Sequence, residues 1–177
     1  MDLALRLKSM EKAMADVIIP ALEGSNALAV EQAYFVLFHI RMIATQFDKD
    51  LHFKLAELRE IASCAQELIA AFPPSTTGAT ATAMARTREL LGSSATARSL
   101  QVPSRDEVTE MIRELKGAVD VLLRSALAGK DVALARAATQ ITMRYSERDV
   151  TRRRVWVKDA GYDLEAASLP SLEQVLR

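Results

Sequence analysis

Residues 51–72, LHFKLAELREIASCAQELIAAF, carry Leu51, Leu55, Leu58, Ala62, Ala65, Ile69 and Phe72 at steps of 4-3-4-3-4-3. That spacing keeps returning to one side of an α-helix. Held for three heptads, it predicts the seam of a helical bundle. Asp50 and Lys54 stand four apart on the outside as a favourable charge pair. Pro73–Pro74 cannot donate to the backbone ladder, so the helix ends there.

The same arithmetic extends in both directions. Upstream, Leu3, Leu7, Met10, Met14, Val17 and Ala21 predict a first helix from about Asp2 to Ile19, ending or kinking at Pro20. Glu23-Gly24-Ser25-Asn26 is a turn, with Asn26 as the N-cap of a second helix over Ala27 to Phe47. This second helix is apolar on two faces. Ala29, Ala33, Val36, Ile40, Ile43 and Phe47 mark one, and Tyr34, Phe35, Phe38 and Met42 the other. A helix of that kind is either central or held at a subunit interface.

Downstream, residues 75–104 are rich in Thr, Ser and Ala. They are expected to form a long connection with one short helix, Thr82 to Leu91, closed by Gly92. Ser104 and Glu107 form an S-x-x-E capping box. A fourth helix follows, with Val108, Ile112, Leu115, Val119, Leu122 and Ala126 inward, ending at Gly129. The fifth begins near Asp131 and uses Leu134, Ala138, Ile141 and Tyr145. Its seam then reaches Arg148 and Arg152, so the helix is expected to leave the bundle or turn Val150 and Val157 inward. A tail from Asp159 contains Gly161, Pro170 and a short helix from Ser171 to Leu176. The expected architecture is all-α: an antiparallel bundle of about five helices in one domain, residues 1–158, followed by a tail, 159–177.

Composition agrees with this reading. The 177 residues are 50% hydrophobic, 26% charged and only 5% aromatic, a mix that favours helix over sheet. A chain of this length buries about 70% of its extended surface, enough for a core without metal or disulfide staples. Lys plus Arg equals Asp plus Glu, 23 of each, which argues against binding nucleic acid through bulk charge. Cys64 stands alone, so no intrachain disulfide forms. Asp2, Arg6, Lys8, Glu11, Lys12 and Asp16 interrupt any signal-peptide core, and the apolar runs fall short of a membrane span. A cytoplasmic protein without membrane contact is expected.

No catalytic constellation is present in the sequence. Glu-x-x-His, the carboxylate–histidine motif of bundle metal sites, is missing, and neither His39 nor His52 follows a carboxylate by three residues. No metal or cofactor is expected. Gly-x-Ser-x-Gly, Walker and dinucleotide-binding glycine patterns are also missing. Cys64, flanked by small apolar residues, is expected to be a structural thiol.

Two surfaces depart from the bundle pattern. On the second helix, Glu31, Tyr34, Phe35, Phe38, Arg41 and Met42 combine aromatic area with two charged anchors, while Gln32, His39 and Gln46 recur every seven residues along another edge. The first expectation is a homodimer interface or a site for a protein partner; a pocket for a small ligand is the alternative. From Arg144 to Lys158 the chain holds six basic and two acidic residues, with Tyr145 and Trp156 interleaved. Arg148, Arg152, Arg153, Arg154 and Lys158 are the candidates for holding an anion there. The plainer alternative is a helix end whose arginines pair with Glu147 and Asp149.

Val17-Ile18-Ile19-Pro20-Ala21-Leu22, then Gly24, then Glu31-Gln32-Ala33 lie within Ala15 to Arg41. This segment resembles a group of small uncharacterised bacterial helical proteins encoded near acyl-CoA dehydrogenases and aminoglycoside-phosphotransferase-like proteins. The resemblance implies a bacterial, cytoplasmic origin and an accessory role of unknown mechanism, and it brings no catalytic residues.

Overall fold

The structure, a computed structural model, describes residues 2–22, 24, 26–100, 103–160 and 163–176, without the side chains of 95–100 and 160. Glu23 and Ser25 of the expected turn, and Gly161 of the tail, lie outside the described residues. The fold is all-α, with no strand among the described residues. Helix α1 is Leu3–Ala13, α2 Ile19–Leu22, α3 Ala27–Gln46, α4 Asp50–Ala71, α5 Gly78–Leu100, α6 Arg105–Ala128, α7 Val132–Trp156 and α8 Leu172–Leu176. The chain divides into two compact units. One comprises Met1–Asp50 with Arg154–Pro170, the other Leu51–Arg153 with Ser171–Arg177.

In the first unit, α1 and α2 pack on α3. A π-helical turn, Met14–Ile18, joins α1 to α2, with the Ile19 N–H bonded to the Met14 carbonyl. The wider turn spends one extra residue, so every later side chain is rotated about 100° from the expected stripe. Val17 and Ala21 therefore face solvent, while Ile19 is buried and Leu22 packs beside it. Pro20 does not end the helix. Its missing N–H is accommodated because the ladder has already opened in the turn before it. Ile19, Ala33 and Leu37 form this unit's small core. Asn26 caps α3 as expected, its side chain accepting from the Leu28 N–H at 3.0 Å.

In the second unit, α4, α5, α6 and α7 share one larger core. All six inward residues expected on α6 are buried. Its capping box is formed, with the Ser104 N–H 2.7 Å from a Glu107 carboxylate oxygen and the Glu107 N–H 3.3 Å from Ser104 Oγ. On α4 the buried face is broader than the seam. Ile61, Cys64 and Leu68 are sealed as fully as Leu58 and Ala65, because α4 has neighbours on both sides of that stripe.

Two expectations are corrected in this unit. Residues 75–104 do not form a loose connection around a short helix: α5 runs from Gly78 to Leu100, through Gly92. A mid-helix glycine costs only about 1 kcal/mol, too little to stop a helix with packing partners. The buried stripe of α5 is Met84, Thr87, Leu91 and Ser94, with Thr87 and Ser94 fully buried and Leu91 partly so. Thr87 Oγ1 donates to the Ala83 carbonyl at 2.7 Å and Ser94 Oγ to the Leu91 carbonyl at 2.9 Å, so neither hydroxyl lacks a bond inside. A stripe half made of hydroxyls does not stand out by hydropathy.

The second correction concerns α7. Val150 and Val157 do not turn inward; both are exposed. The original seam continues instead, skipping the exposed Arg148 and burying Arg152 and then Val155.

Candidate functional site

The first candidate surface lies on α3. Ala33, Leu37 and Ile40 bury one side of the helix, and Leu28, Tyr34, Phe35, Val36, Ile43 and Phe47 remain exposed. All six residues singled out on this helix are exposed or half-buried: Glu31, Tyr34, Phe35 and Arg41 are exposed, Phe38 and Met42 intermediate. Phe35, Phe38 and His39 form an aromatic cluster. The His39 ring stands edge-on to Phe35 at 4.4 Å and to Phe38 at 5.4 Å between centroids. Arg41 Nε donates to Glu11 of α1 at 2.8 Å.

Beside these residues is a groove of about 410 Å³, lined by Tyr34, Leu37, Phe38, Arg41, Met42, Thr45 and Asp159. It gathers Tyr34, Phe38, Arg41 and Met42 on one wall; Phe35 and Glu31 do not line it. Asp159 and Thr45 were not singled out from the sequence. Asp159 comes from a short 3-10 turn, Lys158–Ala160, and no spacing rule connects it to α3. The exposed face also revises one expectation. By length and composition α3 is apolar enough to cross a membrane, although Glu31 and Arg41 interrupt its apolar run.

The second candidate surface, the arginines of α7, is drawn inward. Arg152 is 1% exposed, and its two terminal nitrogens bond Glu60 and Asp149. Its guanidinium stands 5.5 Å from the centre of the Phe53 ring, a cation–π contact. Among the described residues its Nε has no hydrogen-bond partner, and neither does the buried Tyr145 hydroxyl. Arg153 donates to Asp149 at 2.9 Å and to Glu57 at 3.0 Å. Arg154 forms a fork on Asp163 at 2.7 and 2.9 Å and reaches Glu165 at 3.0 Å. Lys158 Nζ donates to the Leu169 carbonyl at 3.3 Å. Arg148 is exposed, beside a recess of about 260 Å³ with Arg59, Glu60 and Ser63. Carboxylates of the chain itself thus occupy Arg152, Arg153 and Arg154.

The centre of the charge cluster is Glu57, which was not singled out from the sequence. It is 1% exposed and accepts from Lys116 at 2.6 Å, Arg153 at 3.0 Å and Lys54 at 3.2 Å. Burial pushes its carboxyl up. The bond and charge of Lys116, joined by those of Lys54, outweigh this and hold it below the ordinary carboxylate range. The signal available in the sequence was Lys54, three residues earlier on the same helix. Nothing in the spacing of Lys116 on α6 shows that it crosses to α4.

Cys64 is buried, and burial together with the Glu67 charge pushes its thiol up to about 11. It stays protonated at neutral pH, which makes it a poor nucleophile. Burial, with Asp149 and Glu57 nearby, likewise pushes the Tyr145 hydroxyl up. Among the described residues no group of three or more His, Cys, Asp or Glu side chains is placed to hold a metal ion. No protein-family profile, curated protein or solved structure matches the chain.

Proposed function

We propose that this chain is a non-enzymatic interaction protein that self-associates through α3, with α4 to α7 forming an antiparallel bundle as its stable framework. The observation that carries the reading is the outward face of α3. Tyr34 is 54% exposed, and Leu28, Phe35, Val36 and Ile43 lie in solvent on the same helix. Apolar side chains left in solvent in such number are a common mark of a binding face. Leu3, Leu5 and Met10 of α1, in the same unit, are exposed as well.

The antiparallel arrangement of the framework draws its support from ion pairs. Glu57 pairs with Arg153, Glu60 with Arg152 and Glu67 with Arg144, so rising numbers on α4 meet falling numbers on α7. The single buried cysteine fits a reducing, cytoplasmic setting. The resemblance of Ala15 to Arg41 fits a bacterial accessory role.

Sedimentation or light scattering tests the main reading. A particle of twice the protomer mass at micromolar concentration is the expected result. A strict monomer there refutes self-association, and a monomer that co-sediments with lipid vesicles would assign the α3 face to a membrane.

A second reading has one observation behind it, the groove beside Tyr34, Phe38 and Met42. An apolar groove with Arg41 at its edge suits a small aromatic or acyl carboxylate. Its test is thermal unfolding with benzoate or octanoate in excess. A melting temperature raised in wild type and not in Arg41→Ala supports it, and an unchanged one removes it.

A further inference from the structure

We infer that two copies of α3 pack antiparallel about a two-fold axis, with Glu31 of each copy set against Arg41 of the other. The inference rests on the self-association reading and specifies its geometry. Ala27, Glu31, Tyr34, Phe38, Arg41 and Thr45 follow one another at steps of 4-3-4-3-4. They form a second seam about a third of a turn round α3 from Ala33, Leu37 and Ile40, whose burial marks the inner face. Five of the six are exposed and Phe38 is intermediate.

This seam is complementary to its own reverse. Positions equidistant from the middle of the helix match in character: Tyr34 with Phe38, two large rings; Glu31 with Arg41, opposite charges; Ala27 with Thr45, two small side chains. In a parallel pair each seam residue would meet its own copy. Glu31 would then face Glu31 and Arg41 face Arg41, two repulsive contacts. The antiparallel pair turns both into attractive ones, and charge at such positions sets orientation. Arg41 can hold two carboxylates at once. Its bond to Glu11 uses Nε, and a guanidinium has four further N–H groups. The groove beside Tyr34 and Phe38 supplies the recess that the aromatic rings of the second copy would fill.

The expected test results follow from the pairing. Glu31→Arg and Arg41→Glu each turn two attractive contacts into two repulsive ones, weakening self-association about tenfold. The double variant E31R/R41E regains most of the affinity lost in the single ones, because the charges across the seam have changed ends; what is not regained reflects the new carboxylate beside Glu11 of the same chain. In a parallel pair the double variant would be no better than the single ones. Cysteine cross-linking gives an independent measure. Oxidising a mixture of Ala27→Cys and Thr45→Cys chains, one carrying a size tag, is expected to produce the mixed disulfide, with neither variant linking to itself. Far-ultraviolet circular dichroism confirms that each variant is folded, and the buried Cys64 makes wild type the background control. Self-linked Ala27→Cys chains, or a double variant that stays weak, overturn this register while leaving self-association standing. A monomeric wild type overturns both.

Discussion

Helices α3 and α6 are of similar length, 20 and 24 residues, and both are built around aliphatic side chains. They use them differently. On α6 six apolar residues fall in one buried stripe, while Glu110, Arg113, Asp120 and Arg124 occupy the opposite side together with the exposed Val121. On α3 the apolar residues go round the helix. Ala33, Leu37 and Ile40 are buried, while Leu28, Tyr34, Phe35, Val36 and Ile43 face solvent. The difference follows from where polar residues are spent. A helix that carries charges along its far side needs one apolar neighbour layer. A helix with little more than Glu31 and Arg41 to offer water keeps a face that another surface can cover. The same contrast separates the units to which they belong. The second seals a broad core, and the first a core of three buried residues.

The largest expected effect sharpens this contrast through its charges. Arg152→Ala would leave Glu60 and Asp149 facing each other without their shared cation beside a sealed core. Removing one partner of a buried pair costs about 3–5 kcal/mol. The corresponding change in the first unit, Arg41→Ala, breaks within one protomer only the exposed pair with Glu11 and, at concentrations too low for two copies to associate, should cost no more than about 1 kcal/mol. Urea unfolding of both variants measures the difference. Equal losses would mean that the Arg152 network is no more buried in energetic terms than a surface pair.

A second prediction concerns acid. The Glu57 carboxyl is held below its ordinary value of 4.5, so its ionised form favours the folded state. That contribution is fully present above the unfolded value and is lost as pH falls through the folded one. Stability should therefore drop on acidification below about pH 4.5, the drop being smaller in Glu57→Gln, which has no proton to take up there. The Gln variant should also be less stable at pH 7, since its amide cannot compensate Lys116, Lys54 and Arg153. Urea midpoints at several pH values compare the two slopes. The same slope in both proteins would assign the acid sensitivity to other carboxylates.

How much of this could be read in the sequence depended on how each element announces itself. The stripe of α6 and its capping box were legible in full, because burial, spacing and local hydrogen bonding agree there. Asn26 was legible for the same reason. The continuation of α5 was not, because Thr87 and Ser94 hide a buried stripe behind hydroxyls that bond their own backbone. Helix α1 was legible as a helix, but of its expected stripe Leu7 is buried and Met14 half-buried while Leu3 and Met10 are exposed. Beyond Met14 the π turn changed the period, and a fixed heptad assigned Val17 and Ala21 to a core that holds Ile19. In the candidate surfaces, the six α3 residues proved accessible because a two-faced helix in a small unit cannot cover both faces. Glu57 was not singled out, and Arg152 was singled out as an anion holder and not as a buried residue, because charge is ordinarily a mark of solvent. Long-range partners, Lys116 for one and Glu60 for the other, are what reverse that assignment, and no local spacing encodes them.

The smallest expected effect puts one substitution into both regions. Val119 of α6 is 5% exposed and Val36 of α3 is 47% exposed. Removing the two methyl groups of Val119 leaves a hole in a sealed core, and Val119→Ala should lose about 2 kcal/mol. Val36→Ala loses little burial and gains helix propensity, since alanine escapes the side-chain restriction that branched residues suffer in a helix. It should be neutral or stabilising by about 0.5 kcal/mol. Val36 lies off the seam proposed for self-association, so a dimer would not alter the expectation. Opposite or clearly unequal shifts of the urea midpoint would agree with one closed and one open helix. A substantial loss for Val36→Ala would show instead that this side of α3 is packed in solution, and the contrast between the two helices would have to be drawn from the Tyr34 and Phe35 side alone.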